Sequence, residues 1–104
     1  MDHLSAAMLT ISHMNNTSYS SGAVKVTIAV STLNEIKQVP SAFTVSKLLG
    51  LKEHYVKDLI VSGVRHGLIY NADGILSLTS KGKNFIAQSN QVFYDYLEEI
   101  RRHK

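Results

Sequence analysis

The sequence predicts a mainly helical α+β domain in which a three-helix core leads into a β-hairpin, with a helix before this unit and a long one after it. Three observations carry this expectation. Apolar residues recur at three- and four-residue intervals over residues 23–38, 44–66 and 79–102, the spacing of one helix face. Leu68-Ile69-Tyr70-Asn71 and Ile75-Leu76-Ser77-Leu78 are β-prone runs on either side of Ala72-Asp73-Gly74, and Asp-Gly between such runs is a strong hairpin signal. Gly50-Leu51 breaks the second of these stretches as a tight turn, and Gly67 follows it, where glycine ends a helix by taking up a left-handed conformation.

At the start, Leu4, Ala7, Met8, Ile11 and Met14 form one face of a short helix over residues 2–14;. The polar run from Asn15 to Gly22 competes with its own backbone for hydrogen bonds and reads as a linker. Residues 1–22 are therefore an arm and linker. Residues 23–38 fit two periods, because Val24, Val26, Ile28 and Val30 alternate as in a strand while Val26, Ala29, Val30, Leu33 and Ile36 recur as in a helix. The length of the segment favours the helix, with Ser21 as its cap and Pro40 as the reason it stops.

Thr44 to Leu49 then reads as a short helix, Gly50-Leu51 as a tight turn, and Lys52 to His66 as a longer helix with Val56, Leu59, Ile60 and Val64 inward. So short a join forces the two helices to cross steeply. After the hairpin, a helix from Thr79 to about Arg102 lines up Phe85, Ile86, Ser89, Val92, Phe93, Tyr96, Leu97 and Ile100 on one face. Residues 23–83 thus form the main unit, and residues 84–104 a terminal helix.

With 104 residues, 44% of them hydrophobic, the chain has the size of one domain with a real core, but without room for a deep cleft as well. Binding is favoured over catalysis. The absence of cysteine removes disulfides, thiolate metal sites and thiol nucleophiles together. The five histidines, at positions 3, 13, 54, 66 and 103, make no zinc-ligand spacing. There is no phosphate loop, dinucleotide fingerprint or serine elbow, and Glu98-Glu99 beside Arg101-Arg102 is ordinary helical ion pairing. No enzyme, cofactor or metal is expected. Without a secretory start or an apolar run of about 18 residues, a soluble, cytoplasmic protein with no membrane partner is expected. The formal net charge is +3, and it is concentrated. Residues 44–83 hold six cations against three carboxylates.

The order helix, short helix, turn, helix, hairpin, helix is that of a winged helix-turn-helix, and the residues add to it. Thr44-Val45-Ser46-Lys47-Leu48-Leu49-Gly50-Leu51, followed by Val56, Leu59-Ile60 and Gly67-Leu68-Ile69, resembles the MarR- and PadR-like winged-helix regulators. Leu78-Thr79-Ser80-Lys81-Gly82 resembles the L-T-x-K-G that closes the wing in many of them. The resemblance covers about residues 23–90;. It departs from the family at Gly63, where a large aliphatic residue is usual. Mid-helix glycine costs about 1 kcal/mol against alanine, so either another element packs closely there or the helix is irregular.

The resemblance implies a transcriptional regulator that binds double-stranded DNA with helix 52–66 in the major groove. Lys52, His54, Tyr55 and Lys57 are then the first candidates for contact, joined by Thr44, Ser46, Lys47, Asp58, Asn71, Lys81 and Lys83;. Read as residues alone, the same helix surface is also what a solvated face looks like. Glu53 and Asp58 are either specificity elements accepting from cytosine amino groups or local ion-pair partners. Lys81 and Lys83 either grip phosphates or are scattered surface lysines. Asn71 and Asp73 are demanded by the turn before any base.

Ile86, Phe93 and Ile100 fall seven apart, an apolar face covered either by residues 2–14 or by a second copy of the chain. Fold analogy favours a homodimer on a palindromic operator, with Phe85, Ile86, Ser89, Phe93, Tyr96, Leu97 and Ile100 at its interface. A small-molecule effector would need a pocket lined by aromatics such as Phe43, Phe85, Phe93 and Tyr96;. The competing function is a winged-helix protein-interaction module without DNA binding, which the low net charge and the two acids favour.

Overall fold

The structure is a computed structural model that describes residues 19–102, without the side chains at 92, 93, 96, 97 and 100. The helix expected over residues 2–14 and the side chains of Phe93, Tyr96, Leu97 and Ile100 lie outside the described residues. Within them the chain is a mainly helical α+β domain. Its elements run α1 (Ser21–Glu35), α2 (Ala42–Leu49), α3 (Glu53–Arg65), β1 (Ile69–Ala72), β2 (Ile75–Leu78) and α4 (Ser80–Arg102).

Helix α1 is the centre of the core. Ala23, Val24, Val26, Thr27, Ile28, Ala29, Val30 and Leu33 are all buried, which explains its double periodicity: a helix covered on most sides has no polar stripe to betray its period. Buried Thr27 satisfies its hydroxyl by donating to the Ala23 carbonyl at 2.7 Å;. The cap is Ser20 rather than Ser21, its side chain accepting from the Ala23 N–H at 3.2 Å. The helix also ends earlier than its apolar spacing suggests. Lys37 turns left-handed at φ 63° and the Gln38 N–H donates to the Leu33 carbonyl at 2.9 Å, a Schellman-type closure. Ile36 is therefore exposed, outside the stripe assigned to it.

Helix α2 starts at Ala42, two residues before the expected Thr44, because Ser41 caps it. The Ser41 hydroxyl accepts from the Thr44 N–H at 3.2 Å while the Thr44 hydroxyl accepts from the Ser41 N–H at 2.8 Å, a reciprocal capping box. Gly50, at φ 67°, ends the helix in the left-handed conformation. Val45 of α2 joins Val26, Ala29, Val30 and Leu33 of α1, Val56 and Ile60 of α3, and Ile69 and Leu76 of the hairpin in one core cluster. A second cluster of Ala23, Val24, Ile28, Leu68 and Phe85 fixes α4 to α1.

The inward stripe of α3 is Val56, Ile60 and Gly63, with Leu59 half-buried. Val64, expected inside, is 44% exposed. The reason is Gly63: a Cβ there would stand 2.8 Å from Val26 Cγ1 and 3.0 Å from the Ile69 side chain. The bare glycine lets α1 and β1 close onto α3 and turns the next residue outward. Close packing, not an irregular helix, accounts for the departure at this position.

The hairpin pairs Ile69 with Leu78, Tyr70 with Ser77, Asn71 with Leu76 and Ala72 with Ile75, so its loop is the two residues Asp73-Gly74. Their φ values of 51° and 90° are both positive, as a type I′ turn requires. Ile69 and Leu76 face the core, whereas Tyr70 and Ile75 face out. A further bond, from the Leu76 N–H to the carbonyl of buried Pro40 at 2.9 Å, ties the hairpin to the α1–α2 connection. Among the described residues no helix is long and apolar enough to cross a membrane.

Candidate nucleic-acid interface

The surface around α3 is set by the bend before it. At Gly50 the chain reverses, with the Leu51 N–H donating to the Ser46 carbonyl at 3.1 Å, and α3 begins at Glu53 with Lys52 as its cap residue and no side-chain cap bond. Once Val56, Ile60 and Gly63 are buried, Lys52, Glu53, His54, Tyr55, Lys57 and Asp58 are all left exposed. The His54 and Tyr55 rings lie 4.3 Å apart between centroids, tilted by 35°. At about 100° per residue, the direction opposite the buried stripe is occupied by His54, Asp58, Val61 and Arg65, with Lys57 and Tyr55 flanking it on either side. Val61 and Arg65 were not among the sequence candidates. Continuing the helical count beyond Asp58 would have found both.

Exposed charges of both signs lie on this side. Among the described residues the one ion pair is Arg102–Glu98 at 4.0 Å on α4, so Lys52, Lys57 and Arg65 are not neutralised by neighbours, nor are Glu53 and Asp58 taken up as ion-pair partners. The exposed Lys83 is in the same position.

Several expected contacts are corrected by the geometry. Ser46 is only 8% exposed and its hydroxyl donates to the Phe43 carbonyl at 2.7 Å, so it cannot reach a ligand. The Thr44 hydroxyl is spent in the capping box and also donates to the Val39 carbonyl at 2.8 Å; its work is to begin α2. Asn71 Oδ1 accepts from the Gly74 N–H at 2.9 Å, holding the turn. Lys47 remains exposed, its ammonium 5.3 Å from the Phe43 ring centroid.

The Leu78-Thr79-Ser80-Lys81-Gly82 motif closes the hairpin onto the end of α3. The Thr79 hydroxyl donates to the Gly67 carbonyl and accepts from the Gly82 N–H at 3.0 Å, capping α4. Lys81 Nζ donates to the His66 carbonyl at 2.9 Å and sits 5.2 Å from the Tyr19 ring centroid. Lys81 thus serves the C-terminus of α3, where a cation is favoured by the exposed carbonyls, and is a structural residue first.

On α4, Phe85 and Ser89 are buried within the single chain, the Ser89 hydroxyl donating to the Phe85 carbonyl at 2.8 Å. Ile86 packs half-buried on the same cluster, and Tyr19 lies edge-on against both Phe85 and His66 at 5.5 Å. These three residues, expected at a dimer interface, belong to the chain's own core because α4 must first dock on α1. Phe43 is exposed on α2 while Phe85 lies in the α1–α4 cluster, so the two do not line a common pocket. Among the described residues no three His, Asp or Glu side chains are grouped so as to hold a metal ion.

These features define a class: a mainly helical α+β domain with a two-stranded hairpin beside an exposed, cation-bearing helix. No protein-family model matches the chain, and no curated protein matches it in sequence. In three dimensions it is similar to RV1404 from Mycobacterium tuberculosis, known from a crystal structure, with a TM-score of 0.75 over 97% of this chain and 70% of that one. The identity is 13%, so the likeness concerns the fold alone.

Proposed function

We propose that the chain is a winged helix-turn-helix protein that binds double-stranded DNA sequence-specifically and regulates transcription. In this reading α2, the Gly50 bend and α3 are the helix-turn-helix, and the hairpin is the wing. One observation carries it: α3 buries Val56, Ile60 and Gly63 while Lys52, His54, Tyr55, Lys57 and Asp58 stand exposed, with no ion pair to Lys52, Lys57 or Asp58 among the described residues. A helix of 13 residues is about 20 Å long and narrow enough to enter a major groove about 12 Å wide. Lys52, Lys57 and Lys83 would meet phosphates, which position the protein, and His54 and Asp58 would meet base edges, which specify sequence.

A homodimer is part of the proposal. Helix α4 continues from Ser89 to Arg102 beyond its docking on the core, and the remaining interface residues Phe93, Tyr96, Leu97 and Ile100 fall in that stretch. A two-fold pair would match a palindromic operator. The test is a fluorescence anisotropy titration against duplexes selected from a random pool. Affinity should fall by about a thousandfold or more between about 50 and 200 mM salt if six or more phosphates are met. A full-length protein that retains no duplex at the lower salt sinks the reading.

A protein-interaction module is the second reading, favoured by Tyr70 and Ile75, which expose 61% and 56% of their surface on the outer face of the hairpin. Alanine at Lys52, Tyr55 and Lys57 together separates the two. Loss of DNA binding with an intact fold supports the first; function unchanged supports the second.

A further inference from the structure

We propose that Val61 reads the C5-methyl group of thymine, making it the apolar specificity contact of α3; this rests on the DNA-binding reading above. The outward strip of α3 runs His54, Asp58, Val61 and Arg65 at spacings of four, three and four. Val61 is its one apolar member and is 55% exposed. Among the described residues Val61 is only partly covered. A β-branched residue is a poorer helix former than alanine, and a side chain more than half exposed gains little from burial. Its neighbours give it a setting. Lys57 precedes it and Arg65 follows it by one turn each, about 6 Å along the axis in either direction, so cations that suit phosphates bracket an apolar centre. Of the four bases, only thymine offers an apolar group on the major-groove edge. A helix aligned by Lys57 and Arg65 on the backbones would lay the Val61 methyls on the groove floor between them.

The experiment removes that one methyl group. Duplexes recovered from a random pool by the full-length protein are resynthesised with deoxyuridine in place of thymidine, one position at a time, and affinity is measured for the wild type and for Val61→Ala. The wild type should lose about fourfold at one thymine of each half-site, the worth of one buried carbon. Val61→Ala should bind thymine and uracil duplexes equally, with its melting temperature and salt dependence unchanged, since the site is exposed and alanine suits a helix. Three results overturn the inference while leaving DNA binding standing: recovered sites with no invariant thymine, a wild type indifferent to uracil everywhere, or a variant that keeps the wild-type penalty. Failure to recover any duplex at low salt removes the DNA reading itself, and this inference with it.

Discussion

Gly82 approaches the Leu68 carbonyl so closely that a Cβ at position 82 would overlap the Leu68 oxygen. The same oxygen accepts the Thr79 N–H at 3.1 Å, so the first turn of α4 is pressed onto the backbone that enters the hairpin. The neighbour is main chain and cannot swing aside. Gly82→Ala should therefore cost about 3 kcal/mol or more, the upper range for overpacking, and urea denaturation should show a lowered midpoint. A variant as stable as the wild type would mean that the two segments do not touch in this way.

At Gly63 two effects oppose each other. Alanine would gain about 1 kcal/mol in helix propensity, but its Cβ would meet Val26 Cγ1 at 2.8 Å and Ile69 at 3.0 Å, both buried and β-branched. Crowding of this kind costs about 1–3 kcal/mol, so after the propensity gain Gly63→Ala should be destabilising by up to about 2 kcal/mol. In a Val26→Ala background the same change should cost less than in the wild type. Additive effects in that double-mutant cycle would show that the residues are not in contact.

The order of elements was legible because backbone chemistry announces itself. Gly50, Gly67 and Asp73-Gly74 all take the positive φ that their residue types anticipate. What the sequence hid was the third dimension. Nothing local distinguishes Val64 from Val56 as an inward residue, because the choice is made by Val26 and Ile69 packing onto Gly63. Ser46 and Thr44 have groove-reading chemistry, yet their hydroxyls are drawn into hydrogen bonds within and around α2. Phe85 and Ile86 look like an unpartnered face until α1 is seen to cover them. The exposed start of α3, from Lys52 to Asp58, was legible for the opposite reason: Val56 and Ile60 alone fix which side turns away.

Thr44 and Ser41 act as a unit, since each hydroxyl accepts the other residue's N–H. Losing an N-cap costs about 1 kcal/mol, so Ser41→Ala should lower stability by about that much. Thr44→Ala should do nearly the same, and the double variant should cost less than the two together. Base preference should survive Thr44→Ala once the protein is folded. A changed consensus from a random pool would return Thr44 to the proposed DNA contacts.

Lys57 and Lys81 provide the sharpest contrast, because both are exposed lysines on the proposed DNA-binding half and only one is occupied within the fold. Lys81 donates to the His66 carbonyl and lies over Tyr19; Lys57 makes no ion pair among the described residues and flanks the outward strip of α3. Each phosphate neutralised contributes about 0.9 to the slope of log affinity against log salt. Lys57→Ala should reduce that slope by about one contact and leave the unfolding midpoint in place. Lys81→Ala should leave the slope nearly unchanged and lower stability by about 1 kcal/mol or less, the worth of an exposed hydrogen bond; for a domain of this size the melting temperature would fall by about 4–8 °C per kcal/mol. If the two variants exchange these signatures, Lys81 is a phosphate ligand and α3 does not face the duplex through Lys57.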